Sequence, residues 1–518
     1  MTARFLGHPP SFYATLGIAP RPALSTHVGL FARCFGVPAT DLRLPGSLSP
    51  AARRLGFLAA SAAFRCDYCT AHAASFGDML RGPAADGGAG GPSAAADAAA
   101  LGAVATTQGE GEKGAGAGAG ATPDALSAAV VAYARAAVVR PLTPTAAAAV
   151  HDAVAELADA GMSATAIEGL TGVVAFVGAL NTVMDCMGVV LEASSQRFAM
   201  EVLPPVSGGS HGRGVGTGGW VPGEHHANSA VNIGAGTADD APAVGASPSF
   251  PLPWILRGVA AAATGAIRNV GGMLATMPAA VRGQFVEAHL YAGLPTSVAG
   301  LRGWVDGVLG SGTCLFLTRL TSVRLARAFC FGLRENVTAG VGGNSNIDDP
   351  KASNALSGGS RSDQEAEGEG EWARAWSPIQ RARLLYVFGD VTECPPITTA
   401  AIAFAARASG RDKEAVAAET AAWAAAPPSP RSDDDDKDDG KDGGSDDIAG
   451  TARLAAAREV VLAAAGGTER VRGPVVTQLM SVASARAAVE LASLVSFAEM
   501  WRRMEVLIGP DTPADKRE

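Results

Sequence analysis

Apolar residues fall at three- and four-residue intervals along most of the chain outside its glycine-rich stretches, the spacing of a buried helix face. From about residue 10 to 81 the pattern predicts helices interrupted at Pro20, Pro38 and Pro45, with Leu30, Phe31, Cys34 and Phe35 at helical spacing. Ser49-Pro50 has the form of a helix cap followed by proline in the first turn, and the row Leu55, Leu58, Ala59, Ala62 carries that helix toward Cys66. No Gly or Pro separates Phe64 from Cys66, so two arrangements stay open: Cys66 opens a new helix, or it lies inside a continuous one. Ala128 to Arg140, Thr145 to Ala160 and Ala164 to Ala193 give three more helices, parted by Pro141-Leu142-Thr143-Pro144 and by Gly161. A second helical region begins at Pro251; it includes a helix from Leu315 to Leu333 and closes with helices from Ala452 to Ala465 and Pro474 to Ile508. In the last of these Val489, Leu491, Val495, Phe497, Met500 and Leu507 read as core. The fold class predicted is all-α.

Between these segments the periodicity vanishes. Residues 82–123 and 206–250 are rich in Gly, Ala and Ser, and 340–371 and 427–449 are polar, so all four read as disordered insertions or linkers. They divide the chain into a helical domain at 10–205 and a second at 251–510. Asp433-Asp434-Asp435-Asp436-Lys437 is a self-repelling spacer, since a calcium loop needs alternating ligands, a Gly turn and a closing Glu. His225-His226 sits in the second linker and reads as solvated. The two domains echo each other: Val130-Val131-Ala132-Tyr133 and Pro141-Leu142-Thr143 match Leu385-Tyr386-Val387-Phe388 and Pro396-Ile397-Thr398 without a gap, which points to a tandem duplication.

Composition narrows the function. Aromatics are 6% of 518 residues, so cores are built from Ala, Val and Leu, which suits close helix packing. A net charge of −9 without a long basic run excludes a nucleic-acid binder, which needs clustered Lys and Arg. The most apolar stretch, Ile167 to Leu191, contains Glu168, Asn181 and Asp185 and reads as a buried helix rather than a membrane span. Seven Cys, scattered except for one pair, are not a secreted disulfide framework, and a reducing, cytoplasmic setting fits them better. The acid-free first 40 residues also have the composition of an organelle transit peptide.

That one pair concentrates the chemistry. Cys66-Asp67-Tyr68-Cys69-Thr70-Ala71-His72 places two thiols and an imidazole at successive three-residue steps. On a helix each step turns about 300°, so Cys69 lies beside both Cys66 and His72. The reactive form of Cys is the thiolate, and two features lower its cost: a helix N-terminus, which would act on Cys66, and a nearby imidazole, which would act on Cys69.

The run from Leu58 to Ala74 resembles the signature helix of the AhpD-like, carboxymuconolactone decarboxylase superfamily, whose redox branch carries Cys-x-Tyr-Cys followed within about one turn by His. Gly178-Ala179-Leu180-Asn181 and Gly188-Val189-Val190-Leu191-Glu192 are similar to its closing helix. The resemblance implies an all-α AhpD-like bundle in which Cys69 meets a hydroperoxide, Cys66 resolves it as a disulfide, and His72 relays a proton. It also implies an external thiol reductant, no cofactor, and assembly as a homo-oligomer, a count that a tandem copy would change. The chain departs from the family in having no acid between Asp41 and Asp67, where the redox branch usually places a relay Glu; Glu156, Glu168 and Asp185 are the carboxylates available elsewhere. If the second domain is a copy, its helix Leu315 to Leu333 would correspond to the Cys helix, and Cys330, flanked by Arg327 and Leu333, would be chemically silent.

The leading expectation is therefore a thiol–disulfide oxidoreductase or alkylhydroperoxidase-like antioxidant protein acting on a hydroperoxide or disulfide. Two alternatives stand beside it. Cys66, Cys69 and His72 can offer three ligands to zinc, with Cys34 or His27 as a fourth, and a fold that has kept its shape but lost its relay can serve as an interaction scaffold.

Overall fold

A computed structural model of the chain describes residues 48–64, 66, 69, 70, 72, 73, 125–138, 144–187, 291–310, 312–339, 374–426, 445–466 and 474–508, together with Leu16, Ala23, Thr26, His27 and Leu30. Among the described residues there are helices and no strand, as the periodicity predicts. The breaks at Pro20, Pro38 and Pro45, the stretches 82–123, 206–250 and 340–371, and the acidic run lie outside them.

Helix α1 (Pro50–Ala63) begins where the cap signal places it: the Ala52 N–H donates to Ser49 Oγ at 3.1 Å. Helices α2 (Ala125–Ala136), α3 (Pro144–Asp159) and α4 (Ala164–Met187) follow. In the second half come α5 (Val298–Leu309), α6 (Val323–Leu333) with a π-helical turn at Arg334–Thr338, α7 (Pro378–Val391), α8 (Pro395–Ser409), α9 (Lys413–Ala425), α10 (Ser445–Ala465), α11 (Pro474–Val482) and α12 (Ala485–Ile508). Three expectations need correction. The helix expected over Leu315 to Leu333 is a short 3-10 turn at Leu315–Thr318 and then α6, because Ser322 caps a fresh start by accepting the Leu325 N–H. The helix expected over Pro474 to Ile508 breaks at Ser484, whose hydroxyl accepts the Ala487 N–H. Helix α10 starts at Ser445 and so takes in the end of the stretch expected to be linker.

Helices α4 and α12 form the centre. Each is 24 residues long and they pack against each other, while α1 and α2 lie on the α4 side and α7 and α10 on the α12 side. From Ala164 to Met184, α4 is long and apolar enough to cross a membrane, and most of it is buried inside the fold. The Tyr133 hydroxyl pins α2 to α4 at 2.6 Å from Thr171 Oγ1.

Helix α12 is buried along nearly its whole length although it carries Glu490, Ser493, Ser496, Glu499, Arg502, Arg503 and Glu505. Each of these finds a partner, as burial of a polar group demands. Glu490 accepts the Ala375 N–H at 2.9 Å, Ser493 donates to Asn336 Oδ1 at 2.7 Å, and Ser496 donates to the Ala179 carbonyl at 2.7 Å. Glu505 accepts from Trp501 Nε1 at 3.0 Å and from the Phe316 N–H at 3.2 Å, which fastens the 3-10 turn to α12.

Burial pushes the Glu505 carboxyl up to about 7 against the opposing pull of those donors. A carboxyl raised in the folded state keeps a proton that the unfolded chain has released, so stability falls as pH rises from about 4.5 to 7. Glu505→Gln should remove that part of the decline and gain on the order of 1–3 kcal/mol relative to the parent at pH 8 compared with pH 4.5, read from urea unfolding at the two pH values.

Candidate functional site

The break that the sequence left open occurs just before the thiols. Helix α1 ends at Ala63 and the Phe64 N–H bonds to the Ala60 carbonyl at 2.9 Å. The Cys66 N–H then reaches back to the Ser61 carbonyl at 3.2 Å, outside any helix. From there the chain turns helical again: the Thr70 N–H bonds to the Cys66 carbonyl at 2.9 Å, and Cys69, Thr70 and His72 are helical. Cys66 therefore opens the new segment, and its sulfur acts as the cap, accepting the Cys69 N–H at 3.3 Å. A backbone donor aimed at sulfur is the arrangement that favours charge there.

The two sulfurs meet. Cys66 Sγ and Cys69 Sγ are 2.7 Å apart, and no disulfide joins them. The disulfide expected from the resemblance is therefore not formed between these two cysteines in this structure. Cys66, Cys69 and His72 are all buried, His72 one helical turn beyond Cys69.

A buried guanidinium borders the turn. Arg503 of α12, wholly inaccessible to solvent, lies over the Phe64 ring at 4.5 Å and donates to the Ala137 carbonyl at the end of α2. Glu499 holds it at 2.8 Å and also takes two bonds of 3.0 Å from Arg502. Gly178 on α4 leaves the room: a Cβ there would sit 2.6 Å from Arg503 Nε and 3.2 Å from Phe64 Cζ. The sequence reading treated α12 as core and missed this cluster, although Glu499, Arg502 and Arg503 at i, i+3 and i+4 on an apolar helix were a legible signal of a buried ion triad. Of the carboxylates weighed for a relay, Glu168 stands at the first turn of α4 and accepts from Thr321 and Ser322 (Ser322 N–H at 2.9 Å), while Glu156 is exposed. The Asp185 side chain is outside the described residues.

The same turn occurs a second time, 328 residues on. Ser377-Pro378 caps α7 as Ser49-Pro50 caps α1, and buried Arg381 stands where buried Arg53 stands. The Cys394 N–H bonds to the Gly389 carbonyl at 2.8 Å and the Thr398 N–H to the Cys394 carbonyl at 3.3 Å, as at Cys66, but the Ile397 N–H goes to the Cys394 carbonyl at 3.0 Å and the Cys394 sulfur caps nothing. Burial pushes the Cys394 thiol up to about 12, and Ile397 and Ala400 occupy the places of Cys69 and His72. Cys330, by contrast, lies within uninterrupted α6 with no turn beside it, so the structure gives it no likeness to Cys66. Helices α4 and α12 match as well, 321 residues apart: Ser163 and Ser484 cap them, and Leu170, Val174 and Phe176 recur as Leu491, Val495 and Phe497.

Zinc does not fit. Two thiolates bound tetrahedrally at 2.3 Å from a zinc ion lie about 3.8 Å apart, well beyond the separation seen here. Among the described residues no three His, Cys, Asp or Glu side chains converge as ligands. His27, weighed as a fourth ligand, packs on Phe176 at 5.4 Å with its imidazole held neutral by burial, down to about 3; Cys34, like His225 and His226, is outside the described residues.

Gly178→Ala should destabilise the fold by about 1–3 kcal/mol through the clash with Arg503 and Phe64, whereas Gly303→Ala, facing open space inside α5, should be neutral or stabilising; chemical denaturation of both variants checks the contrast. No family model, curated protein or solved structure matches this chain, so the function rests on the geometry of the thiol turn itself.

Proposed function

We propose that the protein is a thiol oxidoreductase whose working group is the Cys66–Cys69 dithiol. The observation that carries this reading is the 2.7 Å contact between the sulfurs, with a backbone N–H aimed at one of them. Cys69 as thiolate attacks the terminal oxygen of a hydroperoxide. The S–O bond forms, the O–O bond breaks, and the alkoxide leaves as an alcohol after taking a proton, a task suited to His72. Cys66 then attacks the sulfenic sulfur, a disulfide forms, and the hydroxyl departs as water. Two thiols are oxidised and one peroxide is reduced, and an external dithiol returns the pair to its starting state. Burial of both sulfurs favours a small oxidant. The AhpD-like arrangement expected from the motif is part of the same reading.

Hydrogen peroxide or oxidised glutathione in modest excess should protect both Cys66 and Cys69 from alkylation, read by mass shift, and Cys69→Ser should abolish peroxide consumption. A pair that stays alkylatable after excess oxidant sinks the reading. The scaffold alternative is favoured by the burial of both thiols, and equal peroxide consumption by the parent and Cys69→Ser would select it.

The reading extends to a tandem architecture in which the second half is a degenerate copy, with Cys394 rather than Cys330 corresponding to Cys66. The support is the recurring turn and its matched backbone hydrogen bonds. In a Cys66→Ser, Cys69→Ser background, Ile397→Cys should then yield a new disulfide to Cys394 on mild oxidation. Retention of a freely alkylatable Cys394 would show that the correspondence is wrong.

A further inference from the structure

Two side chains near the thiol turn have every polar atom buried and unbonded: the Ser61 hydroxyl and the Asn181 carboxamide, both wholly inaccessible to solvent. An unsatisfied buried amide costs on the order of 1–3 kcal/mol, and a native chain that keeps one calls for a reason. Since both Asn181 atoms lack partners, flipping the amide changes nothing.

Helix register places Asn181 level with the thiol turn, and on the tandem reading the matching turn agrees. Helices α1 and α4 run in the same direction, with Gly56 against Leu170 and Phe64 against Gly178. One turn beyond Gly178, Asn181 is level with the turn that begins at Cys66. At the matching turn, Arg502 holds on α12 the position that Asn181 holds on α4, and its charge bears on the Cys394 thiol. Ser61 is placed the same way: at its counterpart Gly389 a Cβ would lie 2.9 Å from the Thr398 N and 3.0 Å from Ile397 Cγ2, the positions of Thr70 and Cys69.

We infer that the Asn181 carboxamide is the group that binds the oxidant, and that the oxidant is a hydroperoxide rather than a disulfide. This rests on the thiol reading above. A carboxamide presents an N–H donor and a C=O acceptor side by side. A hydroperoxide presents the complement: an O–H to donate and, one bond away, an oxygen that accepts. As Cys69 attacks the terminal oxygen and the O–O bond breaks, charge collects on the departing oxygen, where an Asn181 N–H can stabilise it. A disulfide has no O–H and gains little from this group.

The test compares the parent with Asn181→Leu, close in volume, and Asn181→Ala, which keeps the comparison open should leucine overpack. Rates of Cys66–Cys69 disulfide formation are measured with hydrogen peroxide and with oxidised glutathione. Both variants should lose at least about tenfold in the peroxide rate, roughly one hydrogen bond in the transition state, and stay within about twofold of the parent with oxidised glutathione. Asn181→Leu should also raise Tm, because an unsatisfied amide gives way to an apolar group. Peroxide and glutathione rates that fall together, or a peroxide rate that does not move, overturn the inference while leaving the dithiol reading in place. A parent that forms no disulfide with either oxidant overturns both.

Discussion

The contact on which the rest of the architecture depends is the passage of Arg503 over Gly178. Two 24-residue helices cross at the centre of the molecule, and one presents a guanidinium where the other has no side chain. Burying an arginine is costly unless its charge is paired and its donors are used. Glu499 supplies the pairing, Arg502 is drawn into the same carboxylate, and the remaining reach of Arg503 is spent on the Ala137 carbonyl and the Phe64 face. Helix α12 is thereby tied to the ends of both α1 and α2. Removing one member of such a triad leaves an uncompensated buried charge, a loss of about 3–5 kcal/mol. The charges thus specify how the helices cross more than they add stability.

That crossing matters for chemistry because Phe64 caps the end of α1 just before the thiol turn. The guanidinium lies over the ring and Gly178 leaves room for both, so the point at which the chain leaves α1 is packed by α12, a helix more than 400 residues away in sequence. From that point the local bonds do the rest: Cys66 caps the next helical segment, and the geometry of capping brings the Cys69 amide and sulfur to Cys66 together. A pair of thiols at this spacing on a continuous helix would be neighbours, but it would lack the backbone donor. The turn supplies that donor, and the tertiary packing holds the turn.

Much of this was legible in the residues. Helix class, the Ser49-Pro50 cap, the separations at Pro144 and Gly161 and the closeness of Cys66 to Cys69 all follow from local signals. What local signals cannot report is a long-range partner. Ser322 and Ser484 are helix caps, yet both sit in apolar stretches where the period runs on across them, so single helices were expected at Leu315 to Leu333 and at Pro474 to Ile508. Glu168 looked like a relay acid because its position on α4 says nothing of Thr321 and Ser322 waiting 153 and 154 residues downstream. The echo between Tyr133 and Phe388 was a match of apolar helix faces, which Ala- and Val-rich segments give at several registers. The match of backbone bonds at Cys66 and Cys394 discriminates better, because a bond from the cysteine N–H back to the carbonyl five residues earlier, followed by one from residue i+4 to the cysteine carbonyl, is not given by composition alone.

On the tandem reading, the differences between the two halves have a common sense. At the three positions of α4 nearest the thiol turn the first half has Gly178, Asn181 and Thr182, and α12 has Glu499, Arg502 and Arg503 in their places. Gly178, Asn181 and Thr182 are small or neutral, and the Asn181 carboxamide has no protein partner. In the second half those places carry the Glu499–Arg502–Arg503 ion triad, and burial pushes the Cys394 thiol up to about 12. Ile397 and Ala400 stand where the first half has Cys69 and His72, and Arg503 of the second half reaches across to Phe64. On this reading the second half acts as a structural partner of the first, bearing through Arg503 on Phe64 just before the thiol turn.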